Sequence, residues 1–267
     1  MVLITRDVKK ADGITHSGNF HADEIMATVI LEKAFGRFVV YRANELPSNL
    51  SKMVIAYDIG GGLFDHHDKP ECELEVRKNG VPYSSCGLVW RKFGPRVLRY
   101  LEESIRKDVW YLMDKELIAG IDAIDNAALP KLNYPARVMS VSGAISMFNP
   151  VGGTADDFDR EFIEAVKFAE VIFDKVLKSV IRKVKAKSIV EEKIEKCDDG
   201  ILIIDPFIPW QEAVMSSRNL KAQDIKFVIF PSERGGYNFQ CIPVGFGSEE
   251  RRKDVPKEWW GLSKANL

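Results

Sequence analysis

Two short stretches carry all four histidines of the 267-residue chain. The first reads His16-Ser17-Gly18-Asn19-Phe20-His21-Ala22-Asp23-Glu24. The second begins at Asp58, passes through Gly60-Gly61-Gly62 and ends in Asp65-His66-His67-Asp68. Imidazoles and carboxylates converging from several strand ends are the donor set of a two-metal hydrolase, in which cations roughly 3.5–4 Å apart share a water and a phosphoryl oxygen. His16, His21 and Asp23 come from one strand-to-helix loop, Asp58 from a strand end, Asp65 and His66 from the next loop, and Asp122 or Asp125 from the end of a later helix. Nitrogen and oxygen donors without thiolate suit manganese or magnesium, with zinc or cobalt as substitutes. One such histidine alone reads as a core or surface residue; four confined to two acidic clusters do not.

These residues need strands and helix starts to hold them. Val2-Leu3-Ile4-Thr5 and Ile14-Thr15-His16 are short β-like pieces separated by a turn, and the second delivers His16. Apolar residues at Ala22, Ile25, Met26, Val29 and Ile30 give a helical period from Ala22 to Phe35, ended by Gly36, with Asp23 and Glu24 on its first turn. Phe38 to Tyr41 and Val54 to Tyr57 are the next strands, so the class is α/β with a parallel sheet and candidate ligands at strand ends. Lys69 to Pro82 reads as a polar loop. Ser84 and Ser85 open the next helix, where either can cap and where free N–H groups attract phosphate oxygens. Glu102 to Ile124 reads as one amphipathic helix closing in Asp122, Asp125 and Asn126. Ala155 to Lys196 reads as a bridging helix pair, its basic run Arg182 to Lys187 offset by Glu191, Glu192 and Glu195 as on a solvated face. After Cys197-Asp198-Asp199-Gly200, strands at Ile201–Ile204, Phe227–Phe230 and Tyr237–Val244, with a short helix near Trp210 to Met215, form a smaller α+β region. The expected division is therefore 1–196 and 197–267.

Composition bounds the rest. A hydrophobic share of 46% builds a core without disulfides, and a formal net charge of −1 argues against a whole-protein field for polyanions. Cys72, Cys86, Cys197 and Cys241 form no CxxC pair, which argues against a thiolate zinc cage and fits reduced thiols. The charged first ten residues are unlike a signal peptide, and no run approaches the roughly 18 apolar residues of a spanning helix. The expectation is a cytoplasmic protein without membrane partners.

Asp65-His66-His67, with Asp58 before it and His16 to Asp23 upstream, resembles the DHH phosphoesterase superfamily. Within it, Thr15-His16-Ser17-Gly18, Phe20-His21-Ala22-Asp23-Glu24, Asp58-Ile59-Gly60-Gly61, Ser84-Ser85-Cys86-Gly87-Leu88-Val89 and Asp122-Ala123-Ile124-Asp125-Asn126 are similar to the melanocyte-proliferating-gene exonuclease family, also described as metal-dependent protein hydrolases. The likeness extends to Pro209-Trp210, Phe227 to Pro231 and Pro256 to Leu262. It implies a DHH-type domain and a divalent-metal phosphodiesterase, exonuclease-like on single-stranded RNA or short oligonucleotides, with attack by a metal-bridging hydroxide. His16, Asp23, Asp58, His66 and Asp125 are then implied ligands, with His21 standing where the superfamily usually has an Asp. His67 is implied to donate to the substrate phosphate, and Asp65 either to bridge the metals or to orient His66.

Family chains continue past the Trp-Gly-Leu segment into an apolar strand and a glycine-rich loop, whereas this chain stops at Leu267. The expectation is a truncated substrate-side domain in which Arg251-Arg252-Lys253 and Trp259-Trp260 are either a phosphate contact and a base stack or a solvated basic turn and an aromatic anchor for the final segment. Two other classes share the same donors: an amidohydrolase, since Lewis-acid polarisation serves carbonyls too, and a non-catalytic metal-binding relative.

Overall fold

Strand β2 (Gly13–His16) lies inside a four-stranded parallel sheet with β1 (Val2–Thr5), β3 (Phe38–Ala43) and β4 (Ile55–Ala56), in the order β1-β3-β2-β4. The computed structural model describes residues 1–48, 50–67, 75–129 and 138–260. Asp68, Cys72, part of the Lys69 to Pro82 loop and the closing stretch from Gly261 fall outside the described residues. The chain divides into two compact units, Met1–Lys178 and Ser179–Leu267.

The α/β class and parallel sheet agree with the sequence reading. Parallel neighbours need a crossover, and α1 (Ala22–Phe35) supplies it between β2 and β3. Ile25, Met26, Ala27, Ile30 and Leu31 are fully buried, because α1 packs against β3 and also against α2 (Ser85–Val97). A helix covered on several sides loses the polar face of an ordinary surface helix. In register, His16 lies beside Ala43 and Ile14 beside Ala56, so β2 and β4 release His16 and Asp58 at the same sheet edge.

Two helical expectations are corrected. The expected helix from Glu102 to Ile124 is helical without a gap over 103–125, but α3 (Glu103–Met113) and α4 (Ala119–Asp125) are joined by a π-helical turn, Asp114–Ile118, whose wider winding shifts the faces of the two halves. The anticipated helix pair is one continuous helix, α6 (Ala155–Glu195), which contains no Gly or Pro to break it. Its buried stripe runs Phe162, Ala165, Val166, Ala169, Phe173, Leu177 and on to Val184. A short α5 (Val141–Ser146) had no sequence forecast, since six residues are too few to reveal a period.

The second unit contains β5 (Ile201–Ile203), α7 (Gln211–Ser216), α8 (Leu220–Asp224), β6 (Phe227–Pro231) and β7 (Tyr237–Cys241). β6 pairs parallel to β5 and antiparallel to β7, over a core that includes Val190, Ile194, Leu202, Trp210, Val228 and Ile242. Among the described residues, no helix is long and apolar enough to cross a membrane.

Candidate metal centre

The loop after β2 is held by backbone clamps. Arg42 on β3, itself buried, donates to the carbonyls of Gly18 (2.7 Å) and His16 (3.3 Å), and its guanidinium lies over Phe162. Asn149 accepts from the Phe20 amide (2.8 Å) and donates to the Phe20 carbonyl (2.7 Å). The segment from His16 to α1 is thus fixed at both ends. On the other side of the sheet edge, Asp58 has φ +55°, a left-handed conformation costly for a non-glycine residue and often found where a site demands it. Gly61, with φ +67°, turns its amide onto Asp65 Oδ2 at 2.7 Å.

Asp58 turns one carboxylate oxygen to each histidine cluster. Its Oδ2 lies 3.3 Å from His16 Nε2, and its Oδ1 lies 3.8 Å from His66 Nε2. Around His16 stand Glu24 Oε1, at 2.8 Å, and the exposed His21, whose ring centroid is 6.0 Å away. Around His66 stand Asp125 Oδ2, at 2.9 Å, and Asp23 Oδ2, at 3.7 Å. Among the described residues four donor triads result, His16-His21-Glu24, Asp58-His66-His67, Asp23-His66-Asp125 and the fully buried Asp23-Cys86-Asp122, with the candidate atoms of each within 4.8 Å of one another.

The outer ring nitrogens fix the inner ones. His16 Nδ1 donates to the Ser17 carbonyl at 3.1 Å. Asn126 Nδ2 donates to the Asp122 carbonyl, which leaves its Oδ1 to accept from His66 Nδ1 at 3.3 Å. In the neutral ring each Nε2 is then a lone pair aimed at carboxylates. Both Nε2 atoms are buried, His16 Nε2 2.8 Å from Glu24 Oε1 and His66 Nε2 2.9 Å from Asp125 Oδ2, and Glu24 Oε2 is buried without a hydrogen-bond partner. Lone pairs converging on carboxylates repel unless a proton or cation lies between them, so these residues fit divalent cations.

The electrostatics carry the same signature. Burial works against a charged His16, yet its bonds to Asp58 and Glu24 hold it up to about 10. Burial would raise Asp58, but the bond and charge of His16, with His67 and His66 behind it, hold its carboxyl below the ordinary range. Asp23 is pushed well up, first by burial and then by the charges of Asp58, Asp125 and Asp122. Asp65, although burial opposes it, is held down to about 2 by His67 and by the amides of Gly61 and His67.

The remaining expected residues are placed as follows. Asp65 Oδ1 binds His67 Nδ1 at 2.9 Å, so its carboxylate orients His67 and not His66. Ser84 and Ser85 are fully buried. The Ser84 hydroxyl meets Asp23 and Asp122 at 2.5 and 2.6 Å, and the Ser85 hydroxyl meets Asp58 at 3.1 Å. The first amides of α2, offered by sequence to phosphate oxygens, bind carboxylates of this chain instead: Ser85 and Cys86 donate to Asp23, and Gly87 to Asp122. Asp122 therefore stands behind Asp23, while Asp125 faces His66. Arg251 and Arg252 belong to the second unit. There Arg252 donates to the carbonyls of Ala222 (2.5 Å) and Ile225 (3.0 Å), and Arg251 lies 3.9 Å from Asp254.

Sequence reasoning missed Glu24 as a donor and Arg77 altogether. Glu24 had a signal: consecutive acids on a first helical turn point about 100° apart, so Asp23 and Glu24 can serve two clusters. In the first unit a crevice of about 640 Å³ opens between His66, His67 and Asp125 on one side and Ser140, Ser142 and Ser146 on the other.

A parallel α/β unit whose sheet edge presents histidines and carboxylates able to hold divalent cations is the class of protein defined by this fold and site. The chain belongs to the MYG1 exonuclease family (MYG1_exonuc, "Uncharacterised protein family (UPF0160)"), whose profile matches residues 13–267. It is 27% identical over 286 residues to the MYG1 protein YER156C of Saccharomyces cerevisiae, covering 95% of this chain and 84% of that protein. It is 26% identical over 280 residues to the MYG1 exonuclease of Rattus norvegicus (93% and 73%) and 26% over 283 residues to that of Homo sapiens (93% and 74%). No solved structure matches it significantly.

Proposed function

We propose that this protein is a divalent-metal-dependent phosphodiesterase that removes nucleotides from the ends of single-stranded RNA or short oligonucleotides. The observation that carries the reading is Asp58, with one carboxylate oxygen toward His16 and the other toward His66, as a residue shared by two cations would stand. The names of the mammalian relatives, MYG1 exonuclease, support the same chemistry. His16, His21, Glu24 and Asp58 would hold one cation, and Asp23, Asp58, His66 and Asp125 the other, with manganese the best match to oxygen and imidazole donors. Bound cations would supply Lewis-acid polarisation and an activated water.

The chain's own residues do the rest. His67, half-exposed, is held up to about 9 in the metal-free protein, first by its bond to Asp65, and in its protonated form would offer its outer N–H to a phosphoryl oxygen. Among the described residues lining the crevice there is no Lys or Arg. Charge on the substrate would be met by His67 and the cations, while Ser140 and Asn126 offer neutral contacts. A crevice of this volume suits a nucleotide-sized strand end.

The test is hydrolysis by the purified protein, stripped of metal and then given manganese, of a phosphodiester, a phosphomonoester and a peptide panel. Manganese-dependent cleavage of the phosphodiester alone is expected. Cleavage of peptides without phosphodiesters, or turnover indifferent to metal, would overturn the reading.

A further inference from the structure

Arg77 is buried within the first unit, and its guanidinium ties together three parts of the chain. Nε and Nη2 each lie 2.8 Å from a different oxygen of Asp114, a bidentate pair. Nη2 also lies 2.7 Å from Asp122 Oδ2, and the cation sits 3.9 Å from the centre of the Tyr83 ring. Asp114 opens the π turn and Asp122 lies in α4, so the turn brings both acids onto one cation. Asp122 Oδ1 then accepts from Ser84 and from the Gly87 amide (3.0 Å), and Ser84 reaches Asp23 Oδ1.

The contacts form an unbroken series: Asp114, Arg77, Asp122, Ser84, Asp23. Oδ1 of Asp23 is held by Ser84 and the Cys86 amide, and Oδ2, which accepts from the Ser85 amide at 2.9 Å, faces His66 at 3.7 Å. Room for the pair is kept by Gly87. A Cβ there would fall 1.9 Å from Asp122 Oδ2 and 2.7 Å from Arg77 Nη2.

We propose that Arg77 is a positioning residue for the metal centre: through Asp122 and Ser84 it aims Asp23 at the cation site formed with His66 and Asp125. A buried ion pair with nothing downstream would need neither the serine between two carboxylates nor a helical glycine beside it. Partners that orient ligating groups govern metal affinity by about 10–100-fold. The inference rests on the metal centre proposed above, but its test separates the two.

Manganese binding to Arg77→Met, Arg77→Lys and Asp114→Asn is followed by titration calorimetry, alongside thermal unfolding of the metal-free proteins. Wild type is expected to bind two ions. Arg77→Met should weaken one of them by about 10–100-fold and leave the other within about twofold, with Arg77→Lys intermediate because an ammonium cannot span both carboxylates. Asp114→Asn, changed at the far and partly exposed end of the series, should weaken the same ion to a smaller degree, and it decides the question if Arg77→Met does not fold. Lower unfolding temperatures with both affinities at the wild-type value would make Arg77 merely structural and overturn the proposal. Absence of manganese binding by wild type would instead overturn the metal centre.

Discussion

Asp65 holds the ring of His67, Oδ1 to Nδ1 at 2.9 Å, and a second bond from the His67 amide to the same oxygen (3.0 Å) locks the pair. The carboxylate that sequence reasoning left between bridging metals and orienting His66 therefore aims a neighbouring imidazole and raises its pKa.

His67→Ala should lower phosphodiester turnover by roughly 10²–10³, the loss expected for one transition-state donor, while metal content stays intact. Asp65→Asn should have a smaller effect at pH 7 and a larger one at high pH. Asp65 raises the His67 pKa, so its removal brings the loss of the His67 proton to lower pH, and the alkaline limb of the rate profile should move the same way. Rate profiles with paired metal analysis check this. Parallel loss of metal and activity in His67→Ala would contradict the assignment.

Metal uptake should depend on pH with a definite sign. His16 without metal is held up to about 10, so at neutral pH it carries a proton that a cation must displace. Manganese affinity should rise with pH by roughly tenfold per unit for each proton displaced, up to the region of 10. Titrations at pH 6, 7 and 8 in buffers of different ionisation enthalpy measure both affinity and proton release. Flat affinity would rule out His16 as a ligand.

Gly87→Ala should disturb α2 and the centre together. Its Cβ would collide with Asp122, and overpacking of this kind costs about 1–3 kcal/mol. Denaturant unfolding should show that loss, and manganese titration a weaker second ion. A fully stable Gly87→Ala protein with wild-type binding would mean that the Asp122–Arg77 pair shifts freely.

Much of this arrangement was legible in the residues. The bounds of α1 followed from its period and Gly36. The parallel sheet followed from short apolar runs alternating with a helix, and two histidine clusters at strand ends pointed to one crevice. What was hidden depends on contacts between distant residues. Nothing local links Ser84 to Asp23, 61 residues away, so the amides of α2 looked free. Arg77 sits where the sequence reads as a polar loop, and its value arises only when the π turn sets Asp114 beside Asp122. Ser142 belongs to, and Ser140 caps, a helix too short to announce itself.

The central claim is a pair of cations sharing Asp58, and manganese electron paramagnetic resonance at increasing metal-to-protein ratio tests it most directly. The account predicts that two ions bind per chain and that the spectrum of the fully loaded protein shows exchange coupling between them, lost in Asp58→Ala. Saturation at one ion, or two ions whose spectra stay those of isolated manganese, would contradict it.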